Sequence, residues 1–395
     1  MTPILLLAVC QAALMMGQSL TLVVAPVATL AMTGNAWLAT SAIAVQFGAT
    51  LSTVFPAAAL MRRHGRRAGF VAGALAGMAG SAVAALALHR GSFWMFCVGL
   101  SLHGVLNGFA TYYRFAAIDA AGVRHRSKAA PIVLFGGAGA AFAGPAFASW
   151  MVDSSGTAGF APTYVGLLAV QGLALLALWP LRLRAPQPGT PSRPWRRIVA
   201  RSAFAVPAFA AVTGFGTMTL LMTAMPLSLH AHHHSFADTA FVMQWHLLGM
   251  FVPALACGAL IARWGATPVM AAGAALIGAC AALNVATQSL WGTWLAMILL
   301  GVGWNFLFLG STAFLASGHA PHDRPTTEAL NDFLVLFTIT LTALGAGGMS
   351  ALWGWQAINA GVIGAAAAVL AAIAWLRRRH GDPTLPGPLA ASPSS

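Results

Sequence analysis

Twelve apolar runs dominate this chain, at about 2–26, 36–60, 68–88, 93–117, 129–152, 162–181, 203–228, 238–261, 268–286, 292–316, 329–351 and 355–376. Each is long enough to cross a hydrocarbon core, which is about 30 Å thick and takes roughly 20 helical residues. A segment in lipid has no water to satisfy its peptide groups, so each run has to close its own hydrogen bonds as a helix. The fold class that follows is all-α, a polytopic membrane protein with twelve transmembrane helices. Of 395 residues, 59% are hydrophobic and only 7% charged, against about 25% charged in a soluble domain. An ordinary soluble domain is excluded.

The net charge of +13 points to membrane orientation, not to nucleic acid. Lys and Arg collect at 62–67, 124–128, 182–201, 263, 324 and 377–379, on alternate loops and the C-terminus, while Arg90 alone falls on the other side. Basic loops stay in the cytoplasm, so both termini are expected there. The first run lacks a basic leader and exceeds the length of a signal-peptide core, so no cleavable signal is expected. Cys10, Cys97, Cys257 and Cys280 all lie inside the runs, and no structural disulfide is expected.

The basic, Pro-rich stretch 182–201 divides the runs six and six. We expect a first half over 1–181, a cytoplasmic linker over 182–201, a second half over 202–380, and a disordered tail over 381–395, which has too little apolar surface to fold. An offset of 200 residues aligns Pro26 with Pro226, Gly65 with Gly265 and Gly73 with Gly273. This faint parallel repeat is the form taken by halves related about the membrane normal.

Two pairs of soft ligands stand at helical spacing in consecutive runs, Met218 with Met222 and His246 with Met250. Residues four apart share a helix face. The polar loop 230–237 makes the two runs an antiparallel hairpin, which puts Met222 and His246 roughly 10–12 Å below the surface. Thioether and imidazole together suit copper, and Cu(I) above all. Fewer than about one such pair of either kind is expected by chance, so their joint placement carries the argument. In the 200-residue register Gln18 and Gln46 fall opposite Met218 and His246; they line a cavity or bond across helices.

Several neighbours carry two readings each. The loop His230, His232, His233 and His234 either captures a metal outside the membrane or is ordinary loop polarity. Asp238 either orients an arriving cation or caps the helix that follows. Cys257, seven residues after Met250 on nearly the same stripe, is a small buried hydrophobe or a stepping-stone ligand. Met225 is expected to pack where Pro226 bends the helix end, and Met15 and Met16 to pack in the core.

Over nearly its whole length the sequence resembles the major facilitator superfamily. The loop Arg63-His64-Gly65-Arg66-Arg67 resembles the basic part of that family's signature loop, although Arg62 stands where the family carries an acid; Arg114 and Asp119 either substitute in its charge relay, or Arg114 snorkels to the cytoplasmic face or pairs with Asp119. The stretches Met218-x-x-x-Met222-Thr-Ala-Met-Pro226 and Gln244-Trp-His246-Leu-Leu-Gly-Met250-Phe resemble the CcoA-type copper importers. That resemblance implies copper uptake across a bacterial cytoplasmic membrane in support of haem–copper cytochrome c oxidase assembly. Copper is then substrate, with no resident cofactor; the partners are the lipid bilayer and a cytoplasmic copper acceptor, and the carrier is a monomer.

The rival expectation is a proton-coupled carrier of a small organic solute. Such a carrier usually needs a carboxylate in its cavity, yet the acids of this chain fall at or near the ends of the runs, leaving His246 as the deep proton carrier. A third class is a transporter-shaped sensor that binds metal without moving it. A metal-binding His246 must be neutral, so copper uptake is expected to fall below about pH 6.

Overall fold

The computed structural model describes residues 2–120, 126–155, 159–181, 183, 202–317 and 324–380. The described residues are helical with short connections. The helices are α1 (Thr2–Thr33), α2 (Ser41–His64), α3 (Arg66–Arg90), α4 (Phe93–Ala110), α5 (Tyr113–Ala120), α6 (Arg126–Ser155) and α7 (Ala161–Leu178), then α8 (Ser202–Ala231), α9 (Phe236–Phe251), α10 (Ala254–Trp264), α11 (Ala266–Ala286), α12 (Leu290–Ser317) and α13 (Arg324–His380). Every predicted run has its helix. The fourth run is divided between α4 and α5, and the eighth between α9 and α10. The last two merge in α13 across a non-helical Gly354, at φ 73° and ψ 171°. Ten helical stretches among the described residues are long and apolar enough to cross a membrane.

The 200-residue repeat is visible in the backbone. Gly65, between α2 and α3, has φ 84° and ψ 157°, and Gly265, between α10 and α11, has φ 87° and ψ 165°. A side chain is strained at that positive φ, so glycine makes both reversals. The linker 182–201 and the tail 381–395 lie outside the described residues.

The chain forms two compact units, and they do not follow chain order. Unit 1 is Met1–Pro188 with Thr219–Leu248 and Ile339–Trp355; unit 2 is Gly189–Met218 with Gly249–Thr338 and Gln356–Ser395. In unit 1, α1 packs on α6, and α4 is clasped between α2 and α3. Small residues let these backbones meet: a Cβ on Gly80 of α3 would lie 2.7 Å from the Gly99 carbonyl of α4. The later segments join by specific contacts. Gln244 Nε2 donates to the Phe142 carbonyl at 3.3 Å, the Gly347 N–H donates to Thr40 Oγ1 at 2.9 Å, and Phe236 meets Phe160 with ring centres 5.2 Å apart. In unit 2, α11 and α12 pack closely. The backbones of Gly273 and Gly303 cross there, where a Cβ on Gly303 would lie 2.8 Å from the Gly273 carbonyl.

Candidate functional site

Helices α8 and α9 run unbroken through the two soft-ligand pairs, so each pair shares one helix face. All four side chains are buried, with Met218 8%, Met222 3%, His246 0% and Met250 7% exposed. Met222 and His246 belong to unit 1, Met218 and Met250 to unit 2. At 1.5 Å per residue Met222 lies about 14 Å from the end of α8 and His246 about 15 Å from the start of α9. Both are slightly deeper than expected, because α9 begins early, at Phe236, and because α8 does not end near Pro226. It continues through that proline to Ala231, and Met225 is fully buried.

The helix expected to carry Met250 and Cys257 on one stripe is interrupted between them. Pro253 has no N–H to continue the ladder, so α9 stops at Phe251 and α10 begins at Ala254. Cys257, fully buried, packs as a small hydrophobe. The Met250 carbonyl, next to this break, accepts from Asn305 Nδ2 at 2.7 Å.

The neighbouring polar residues serve the turn. Ser235 Oγ accepts the Asp238 N–H at 3.1 Å, while Asp238 Oδ2 accepts the Ser235 N–H at 2.9 Å and its hydroxyl at 2.8 Å. This reciprocal pair is a capping box on α9, so the capping role expected of Asp238 is the one it fills. His230, His232 and His233 are exposed and His234 half-buried. His232 Nδ1 lies 2.7 Å from the Ser228 carbonyl and His233 takes a left-handed φ of 61°. Among the described residues no three His, Cys, Asp or Glu converge to hold a metal ion.

Gln18 is half-buried and Gln46 buried, the latter with its Oε1 unpaired among the described residues. In the charged loop Arg63 is exposed, while Arg66, the first residue of α3, is buried. Arg67 places its guanidinium 5.6 Å from the Trp179 ring centre, a cation–π contact that ties the loop to the end of α7. Arg114 and Asp119 are on α5, and their side chains lie outside the described part.

Two constellations escaped the sequence reading. In unit 1, Ser81 of α3, His103 of α4 and Gln171 of α7 are all buried. Ser81 Oγ donates to Gln171 Oε1 at 2.8 Å and lies 3.1 Å from His103 Nε2, while His103 Nδ1 lies 3.1 Å from the Gly99 carbonyl. A carbonyl only accepts, so Nδ1 carries a proton. Two arrangements satisfy the chain: an imidazolium with Gln171 Oε1 accepting from Ser81, or a neutral ring with the Gln171 amide turned to donate. An imidazole inside a span was itself the available signal. In unit 2, Phe215 of α8 meets Trp304 and Phe308 of α12. The Trp304-x-x-x-Phe308 spacing was legible, but its partner on α8 was not.

A sequence profile of the major facilitator superfamily matches residues 7–326 and, in an overlapping match, 207–395. The chain is 35% identical over 319 residues to the riboflavin transporter RfnT of Brucella anthropi, covering 79% of each chain. In fold it is similar to a variant of the nucleoside transporter NupG, with TM-score 0.69 and 14% identity over 95% of this chain and 99% of that one. It is equally similar to a bacterial homologue of the lysosomal transporter Spinster, with TM-score 0.69 and 15% identity over 95% and 94% of the two chains. With the profile running along nearly its whole length and a relative of that identity beside it, the chain belongs to the major facilitator superfamily.

Proposed function

We propose that this chain is a secondary transporter that carries a small organic solute across a bacterial cytoplasmic membrane by alternating access, with riboflavin or a related planar heterocycle as its substrate. The observation that carries this reading is the 35% identity to the riboflavin transporter, sustained over 79% of both chains. Copper import, with delivery towards cytochrome oxidase assembly, is the second reading. It is supported by the burial of Met218, Met222, His246 and Met250, but paired Met and His side chains are also what close helix packing in lipid produces. The basic loops support an orientation with both termini in the cytoplasm. Among the described residues His103 and His246 are the two buried imidazoles, and a proton-coupled cycle would draw on one of them.

The test is growth of a riboflavin-requiring bacterium that lacks its own flavin carrier. Expression of this chain is expected to restore growth at low external riboflavin, with excess copper leaving labelled riboflavin uptake unchanged. Accumulation of labelled copper without riboflavin uptake would overturn the proposal and favour the second reading.

A further inference from the structure

Unit 2 holds three aromatic rings in mutual contact. Trp304 and Phe308, one turn apart on α12, stack at 5.3 Å with their planes 16° apart. Phe215 of α8 meets Trp304 edge-on at 5.1 Å and 87°, and Phe308 at 5.4 Å and 82°. Trp304 is 8% exposed, while Phe215 and Phe308 are half-buried. Close approach of the two helices has a local cause. Gly214 faces Leu307, whose Cδ1 would lie 3.1 Å from a Cβ there.

Two polar atoms on the same stripe lack a partner. Positions 304, 308 and 311 share one face of α12, and Trp304 Nε1 and Ser311 Oγ are both buried without a hydrogen bond among the described residues. The other hydroxyls near the end of this helix bond back to it, Thr312 to the Phe308 carbonyl and Ser317 to the Ala313 carbonyl. Ser311 does not. A buried indole N–H ordinarily finds an acceptor, and each orphan of this kind calls for an explanation.

We propose that Trp304 and Phe308 supply the stacking faces for a planar heteroaromatic solute, with Phe215 as the ring it displaces and with Trp304 Nε1 and Ser311 Oγ giving hydrogen bonds to its ring carbonyl or ring nitrogen. The inference rests on the reading of this chain as a carrier of an organic solute. Aromatic faces hold flat heterocycles without demanding one ring pattern, and the two donors add selection for a ring edge that accepts. Both polar atoms are covered in this conformation. The ligand reaches them by displacing Phe215, the one ring that α8 contributes.

The test uses the purified full-length chain in detergent, with riboflavin and the sugarless flavin lumichrome as probes. Binding is read by calorimetry and by quenching of flavin emission. Trp304→Leu is expected to weaken binding about 10-fold or more. Trp304→Phe keeps a stacking face but lacks the electron-donating indole, so it is expected to bind within about 10-fold of the native chain and to relieve the quenching. A merely structural role for Trp304 would not change that spectroscopic signal. Native affinity and native quenching in Trp304→Phe and Trp304→Leu would overturn the platform and leave the flavin reading standing. If Trp304→Leu does not fold, unrelieved quenching in Trp304→Phe alone overturns it. A native chain that binds neither flavin would sink the platform and the flavin reading together.

Discussion

The two units solve one packing problem with different chemistry. In unit 1, α3, α4 and α7 are joined in their interior by a chain of side-chain hydrogen bonds from Gln171 through Ser81 to His103. In unit 2 the position 200 residues beyond His103 is Gly303, whose backbone lies against Gly273 with no side chain between. The second unit makes its own polar link, Asn284 Nδ2 donating to Asn359 Oδ1 at 3.0 Å. The register of the helices and the reversals at Gly65 and Gly265 are shared. The buried polar groups are not. A repeat of this kind fixes where backbones run, and leaves each half free to place its own functional side chains.

Exchanging the two solutions should break the molecule most severely. Gly303→His puts a side chain where even a Cβ would lie 2.8 Å from the Gly273 carbonyl, so it should cost about 3 kcal/mol or more. The melting temperature in detergent should fall sharply, and a native melt would show that the crossing of α11 and α12 is looser than described. A smaller loss is expected from His103→Leu, which fills the site but removes the ring partner of Ser81, at about 1–3 kcal/mol. If Ser81→Ala removes most of that penalty when the two are combined, the coupling through the hydroxyl is confirmed; simple additivity would contradict it. Asn284→Ala, which removes the donor to Asn359 Oδ1, should cost only about 1 kcal/mol, because polar contacts in a bilayer contribute modestly. Equal costs at 103 and 284 would erase the contrast between the units.

The smallest effect is expected at Met222. Met222→Leu conserves volume in a buried position, should cost under about 1.5 kcal/mol, and should leave solute uptake near native. Loss of that uptake with the protein still folded would place the Met222 thioether in the solute's path instead of in the packing.

Much of the fold was legible because lipid imposes long apolar runs and because glycine is required at reversals such as Gly65. The capping role of Asp238 was legible too, from Ser235 three residues earlier. The interruption at Pro253 was open to the same reading, since proline ends a hydrogen-bond ladder, and the stripe drawn from Met250 to Cys257 overlooked it. The Ser81, His103 and Gln171 chain was harder, because its members lie 22 and 90 residues apart and nothing local pairs them. The platform needed the adjacency of α8 and α12. The substrate was least legible of all. Met and His at four-residue spacing serve a soft metal and a well-packed helix pair equally, so spacing alone does not separate copper from an organic solute.

A planar organic solute and a copper ion are distinguished most directly as cargo by transport itself. Proteoliposomes containing only this chain allow labelled riboflavin and labelled copper to be followed side by side across one membrane. Time-dependent riboflavin accumulation above empty liposomes is expected, competed by unlabelled flavin and lost in Trp304→Leu, with copper at background. Copper accumulation that Met222→Leu abolishes, with riboflavin at background, would contradict the reading of a planar organic solute as cargo.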